Sequence, residues 1–367
     1  MPNISDYIDF RGDLSFDASP LNEIDLYIIS KLGKPDYTGI VPAGFSGVCL
    51  KDAVAKFLEN SYPNEPDLGV LASPEILATI KRLPDEPRFG DLIFTAFTLR
   101  ISTATVEQFS AMTVILPDGT AVVTFAGTDD TLVAWKEDFL MAAKNAVPAQ
   151  KDAAAYLELV ARNLPSDIIV VGHSKGGNLA VYASAMASEE TQSRITAVYN
   201  FDGPGFHDAF LSDLGYLSIA NRIHSILPRN SMVGVLLSRE EDVCIVDCAK
   251  HGIAAHDGFT WNVGRTEFVR VPCLSRESLA FKDSVSHALD EMDRDDRLAF
   301  IEELFSALSS SGAVSIEDLT DHRIRQAATI LTSLKGASNS KHFASVVLRR
   351  MIRELAPLTI EVPEFHL

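Results

Sequence analysis

Residues 168–181 read IIVVGHSKGGNLAV: four branched apolar residues, then Gly172, His173, Ser174, Lys175, Gly176 and Gly177, then a helix-like run. Glycine commonly marks a tight turn, because it tolerates positive φ. Between a buried strand and a helix, Gly172-x-Ser174-x-Gly176 also fits the nucleophile elbow, which lifts a serine hydroxyl to the end of a sheet. A serine hydroxyl is a weak nucleophile at neutral pH and needs a base, most often a histidine held by a carboxylate. Candidates follow in the order acid, then histidine. Asp202 stands where ITAVYNF runs into Asp202-Gly203-Pro204-Gly205, and His251 and His256 lie in HGIAAHDGFTW. His256 is preferred, because the glycine and aromatic residues after it suggest an ordered loop, and His251 is the second choice. Asp202 also reads as a turn aspartate bonding its own backbone. A developing oxyanion needs donors. The Lys175 amide offers one, and Thr128, in Gly127-Thr128-Asp129 after AVVTFAG, offers another.

The elements that must position these residues follow from apolar spacing. Leu21, Ile24, Ile28 and Leu32 recur at helical intervals, and SPEILATIKRL opens on a Ser cap with Pro at the first helical position. These belong to a mostly helical lead-in over residues 1–90. AMTVILPDGTAVVTFAG is two apolar runs joined by Pro117-Asp118-Gly119, a hairpin signal. Beyond it helix-like and strand-like segments alternate, with strands expected at DIIVVGH, RITAVYNF, RIHSILP, EDVCIVDC and TEFVRV. That alternation predicts an α/β fold with a mostly parallel twisted sheet flanked by helices. From Ser275 the chain reads as helices. The expected division is therefore a main domain over residues 1–274 and a helical C-terminal extension over 275–367, packed on the core or joining copies of the chain.

Composition narrows the class. With 47% apolar and 22% charged residues the chain is an ordinary globular protein. Its net charge of −18 argues against nucleic acid as a partner and against tight docking on an anionic membrane. No apolar run approaches the ~18 residues of a membrane span, and the N-terminus shows no secretory pattern. Four cysteines make no disulfide framework. A cytoplasmic location is the expectation.

The segments VVTFAGTDDTLVAWKEDF, VVGHSKGGNLAVYASA and VYNFDGPGF resemble the blocks of class 3 (fungal-type) lipases, which belong to the α/β hydrolases. The words GHSKGGNLA, WKED and FDGPGF run almost unchanged in a bacterial family of unknown function similar to those lipases. The resemblance covers residues 5–270. It implies Ser174 as nucleophile, His256 as base and Thr128 as an oxyanion-hole residue, with no cofactor or metal. It does not supply the acid. Class 3 lipases carry an aspartate after the following strand, where this chain has Ser231 in ILPRNSMVGVLL, and no carboxylate stands between Asp213 and Glu240. Either Asp202 takes that role from the preceding strand end, or Ser174 and His256 work with a neutral orienter. The reading is a serine hydrolase acting on carboxylic esters, acyl lipids among the candidates. The alternative is a non-catalytic scaffold or binding protein that keeps the fold, motivated by the missing acid and the helical tail.

Several other signals have their own readings. Lys175 puts a cation at the positive end of a helix dipole. One expectation is a pair with Asp129, Asp130, Glu137 or Asp138 that stiffens the oxyanion loop, and the other is a solvated surface lysine. The order of residues excludes a phosphate loop. Cys244, Cys248, His251 and His256 are close in sequence, but both cysteines fall in an apolar strand pattern, so no metal site is expected. Trp135 reads as a helix anchor. Arg349, Arg350 and Arg353 read as a solvated strip on the last helix. Phe206, Phe210, Leu214 and Leu217 recur at helical spacing after Asp202, as a lid or a crossover helix would require.

Overall fold

The computed structural model describes residues 1–69, 72–310 and 314–315. Eight strands form one sheet: β1 (Val48–Cys49), β2 (Ile93–Ser102), β3 (Glu107–Ile115), β4 (Ala121–Phe125), β5 (Ile168–His173), β6 (Ile195–Phe201), β7 (Ile223–Pro228) and β8 (Val243–Val246). They lie in the sheet in the order in which they occur in the chain. β1 to β4 pair antiparallel, and β4 to β8 pair parallel. The hairpin between β3 and β4 turns at Gly119, whose φ of 90° an L side chain would resist.

Parallel strands buried on both faces require a helical layer on each side. The first layer comes from the N-terminal region: α1 (Ile4–Arg11), α2 (Glu23–Leu32), α3 (Leu50–Ser61) and α4 (Pro74–Arg82). The Ser73 hydroxyl accepts the Glu75 amide and Pro74 opens α4, as the sequence suggested. The second layer holds α5 (Leu132–Leu140), α6 (Pro148–Asn163) and α7 (Lys175–Met186). Side chains of the central strands alternate between the two cores. Val123 and Phe125 of β4 pack with the second layer, and Val122 packs with the first. The lead-in helices are thus half of the sandwich, and α2 is buried on nearly every side. A buried ion pair fixes them: Arg88 Nε donates to Asp25 Oδ1 at 2.7 Å, and the Tyr7 hydroxyl donates to the same oxygen at 2.8 Å.

Other expectations fare differently. α8 (Glu189–Arg194) leads into β6, and α9 (Asp208–Leu211) and α10 (Leu214–Ile219) follow it. Phe206 and Phe210 stack at 4.2 Å in the core, whereas Leu214 and Leu217 face solvent on a separate short helix. The expected single amphipathic helix is therefore two short ones. TEFVRV makes only single pairings, Val263 with Phe268 and Arg270 with Val246, and is no strand. The described part of the tail is α11 (Arg276–Asp290) and α12 (Arg294–Ser310). α12 lies on α5, with the Phe139 and Phe305 rings 5.5 Å apart and Lys136 Nζ 2.6 Å from Glu302. Arg349, Arg350 and Arg353 lie outside the described residues. Among those residues no helix is long and apolar enough to cross a membrane.

Candidate active site

Ser174 sits between the last residue of β5 and the first of α7, with φ 60° and ψ −133°. A non-glycine residue there carries strain of about 1–3 kcal/mol, which the surroundings must enforce. They do so by close backbone approach. A Cβ on Gly172 would lie 2.0 Å from the Gly176 carbonyl oxygen, and one on Gly176 would lie 2.1 Å from that of Phe125. The Ser174 amide donates to Phe201 O at 3.0 Å, and Gly177 N donates to Ser174 O at 2.9 Å. The turn is tied to β6 on one side and to its own helix on the other.

Asp202 begins the turn after β6 in the left-handed region, with φ 49°. Its fully buried carboxylate is satisfied on both oxygens. Oδ2 accepts from His256 Nδ1 at 2.6 Å, and Oδ1 accepts from the Ser231 hydroxyl at 2.5 Å and the Gly234 amide at 3.1 Å. Ser231 thus stands where class 3 lipases would place the acid, and it donates to the carboxylate of the strand before. The short Asp202–His256 bond fixes the imidazole tautomer, leaving Nε2 as the acceptor. His256 is 16% exposed. His251 is exposed and makes no hydrogen bond to Asp202 among the described residues. The Ser174 hydroxyl and His256 Nε2 form no hydrogen bond among the described residues.

The loop carrying Gly127 and Thr128 runs beside Ser174: a Cβ on Gly127 would lie 3.2 Å from that of Ser174. The amides of Thr128 and Lys175 donate to no group among the described residues. The first helical N–H groups have no intrahelical partner, which leaves the Lys175 amide free, and the Thr128 amide is free in its loop. The Thr128 hydroxyl is engaged, donating to Asp138 Oδ2 at 2.5 Å.

Lys175 is no surface lysine. Its side chain is 1% exposed, and Nζ donates to Gln108 O at 2.8 Å and Glu137 Oε2 at 3.1 Å, with Asp138 Oδ1 at 3.8 Å. Glu137, fully buried, also accepts the Gln108 amide at 3.0 Å and the Ala149 amide at 2.9 Å. A charged chain therefore runs from Lys175 through Asp138 to Thr128, bracing the loop against the elbow. Burial pushes the Asp138 carboxyl up to about 6, against the opposing pull of Lys175 and the Thr128 hydroxyl. Asp129 does a different task, accepting from the Thr131 amide and hydroxyl ahead of α5.

Three neighbours of the site escape a reading of local motifs. His173 Nε2 donates to the His256 carbonyl at 2.7 Å, and the two rings lie 4.3 Å apart. Burial, with the nearby Lys31 charge, holds His173 well below the ordinary imidazole range, so it stays neutral. Tyr27 of α2 meets His173 edge to face at 5.6 Å, and its hydroxyl accepts the Gly258 amide at 2.8 Å. Lys31, one turn further along α2, lies over the Tyr27 ring. The one sequence signal for this trio is a charged residue inside the apolar run LYIISKL. The cysteine–histidine group does not assemble. Cys244 lies in β8, Cys248 falls beyond its end, and no cluster of three metal-binding side chains exists among the described residues.

Comparison with known proteins places this geometry in context. Residues 83–306 match the family model described as Mbeg1-like. No curated protein matches the chain. Among solved structures, a crystal structure of M37 lipase is similar at 15% identity over 50% of this chain and 69% of that one, with a TM-score of 0.33.

Proposed function

The chain belongs to the Mbeg1-like family, a lipase-like group related to the α/β hydrolases, and from that premise we propose that it is a serine hydrolase of carboxylic esters. The observation that carries the reading is the buried Asp202 carboxylate 2.6 Å from His256 Nδ1, beside a serine held in the strained conformation of an elbow.

In this reading His256 Nε2 takes the Ser174 proton as Oγ attacks the acyl carbon, and the hydrogen bond between them closes as substrate binds. Asp202 stabilises the imidazolium that forms. The Thr128 and Lys175 amides take the charge of the tetrahedral oxyanion, a contribution of about 3–4 kcal/mol per donor in comparable sites. The intermediate collapses, His256 passes the proton to the departing alcohol, and water cleaves the acyl-enzyme by the same route.

A p-nitrophenyl ester series from acetyl to palmitoyl, run beside Ser174→Ala, tests this. Hydrolysis that disappears in the variant, with fluorophosphonate labelling confined to Ser174, is expected. Neither hydrolysis nor labelling in the unaltered chain would leave the scaffold reading instead.

A further inference from the structure

Lys31 is an odd residue to bury. It is 9% exposed on a helix packed beneath the parallel strands, and its ammonium makes neither a hydrogen bond nor an ion pair among the described residues. Its one close partner is the Tyr27 ring, with Nζ 4.8 Å from the centroid. Lys34, just past the end of the same helix, donates from Nζ to the Thr128 carbonyl at 3.2 Å and likewise has no ion-pair partner among the described residues. A buried charge without a counter-charge is costly, and an apolar residue of similar volume would stabilise such a position.

The surrounding acids favour the charged forms but form no ion pair with either lysine among the described residues. Asp202, Asp257, Asp129 and Asp130 act on the two lysines only through space. Asp202 is saturated by His256, Ser231 and Gly234, and Asp257 accepts from the Phe259 amide. Burial and the neighbouring Lys34 push the Lys31 ammonium down to about 7. Two lysines are thus held near one another, neither of them in an ion pair among the described residues, and an anion placed beside them would favour the charged form of both.

Their placement is specific. Lys34 grips the carbonyl of Thr128, the residue after the glycine that lies against Ser174. Lys31 covers the tyrosine that touches His173 and anchors the loop after His256. The pair therefore sits beside His173, the residue before the serine, with Lys34 on the Thr128 loop and Lys31 over the tyrosine that holds the histidine loop. With a net charge of −18 the chain repels anions at a distance, so only such local cations could favour one.

We propose that the ester cleaved at Ser174 carries an anionic group, phosphate or carboxylate, near the scissile bond, and that Lys31 and Lys34 bind it. This rests on the hydrolase reading above.

The test compares three short-chain esters with one acyl group: 1-hexanoylglycerol, its 3-phosphate, and the hexanoyl ester of glyceric acid. An anionic ester is expected to exceed the neutral one in kcat/KM by at least tenfold. Whether the phosphate or the carboxylate ester is faster identifies the group. In Lys31→Met and in Lys34→Met the ratio of anionic to neutral rates should fall at least tenfold. Should Lys31→Met not fold, the half-buried Lys34 carries the test alone. Equal rates on all three esters, or a ratio unmoved by either variant, overturns the proposal while leaving ester hydrolysis intact. Failure to cleave any of the esters, together with no fluorophosphonate label on Ser174, overturns both.

Discussion

Replacing Lys175 by Met would remove the cation that holds Glu137 while leaving the space filled. Glu137 is fully buried, and it would keep its two backbone amides but lose its counter-charge. Breaking a buried pair from one side costs about 3–5 kcal/mol. For a folded body of roughly 300 residues, an unfolding entropy near 2 cal/mol/K per residue converts this into a fall in Tm of about 5–8 °C. Asp138 would also lose the nearest cation opposing its raised pKa. It would then take up a proton closer to neutrality and hold the Thr128 hydroxyl less firmly. In the proposed mechanism the braced loop carries an oxyanion donor and not a substrate-binding group, so ester hydrolysis should fall about tenfold, mostly in kcat. Adding Glu137→Gln to Lys175→Met neutralises the orphaned carboxylate and should recover part of the lost stability, a non-additivity that a double-mutant cycle measures. Thermal unfolding and p-nitrophenyl ester kinetics on the four proteins decide the matter. A Tm for Lys175→Met within 1 °C of the parent, with unchanged kcat, would refute the brace.

Three further outcomes follow from distances at the site. Asp202→Asn should lower kcat by about 10³–10⁴ with little change in KM, whereas Ser231→Ala should lower it about tenfold; the opposite order in steady-state kinetics would make Asp202 structural. His173 is held below its unfolded value, so as pH falls through about 6.5 the unfolded chain takes up its proton first and stability is lost. Compared with His173→Gln, the unaltered chain should lose up to about 1.4 kcal/mol of stability per pH unit between pH 7 and 5, and parallel Tm profiles would contradict this. Gly176→Ala forces a methyl to within 2.1 Å of Phe125 O, and should give either insoluble protein or a destabilisation of at least about 1–3 kcal/mol; a normal melt would show that the elbow has room.

The sequence was most legible where the chemistry is local. The elbow needs only contiguous residues, so Ser174 and its strand–turn–helix setting could be read from one word. The same holds for the β3–β4 hairpin and the capped start of α4. The acid was ambiguous because it is a question of which strand end faces His256, and no spacing encodes that; the class 3 resemblance set Ser231 at the acid's position, and Asp202 ends the strand before it. The β2 strand escaped because IFTAFTLRIS is apolar at one end and polar at the other, with no clean alternation. TEFVRV alternates well but pairs at single residues only, since β8 closes the parallel sheet. The lysine brace was half visible. Four acids were candidates, but that Gln108, a residue of β3, offers its carbonyl to Lys175 depends on sheet register alone.

The bond from the Gly258 amide to the Tyr27 hydroxyl spans 231 positions. A ribosome making this chain emits α2 early and the loop of His256 much later, and domains generally fold as units when their contacts are complete. Until about residue 261 has emerged, Tyr27 has no partner for its hydroxyl and His256 does not yet exist beside Asp202. The contact between His256 and Asp202 therefore forms late in synthesis, when the last loop can close onto the first helical layer. The same dependence runs in reverse: trimming the first 32 residues would remove none of Ser174, Asp202 and His256, yet it would leave the histidine loop without its anchor.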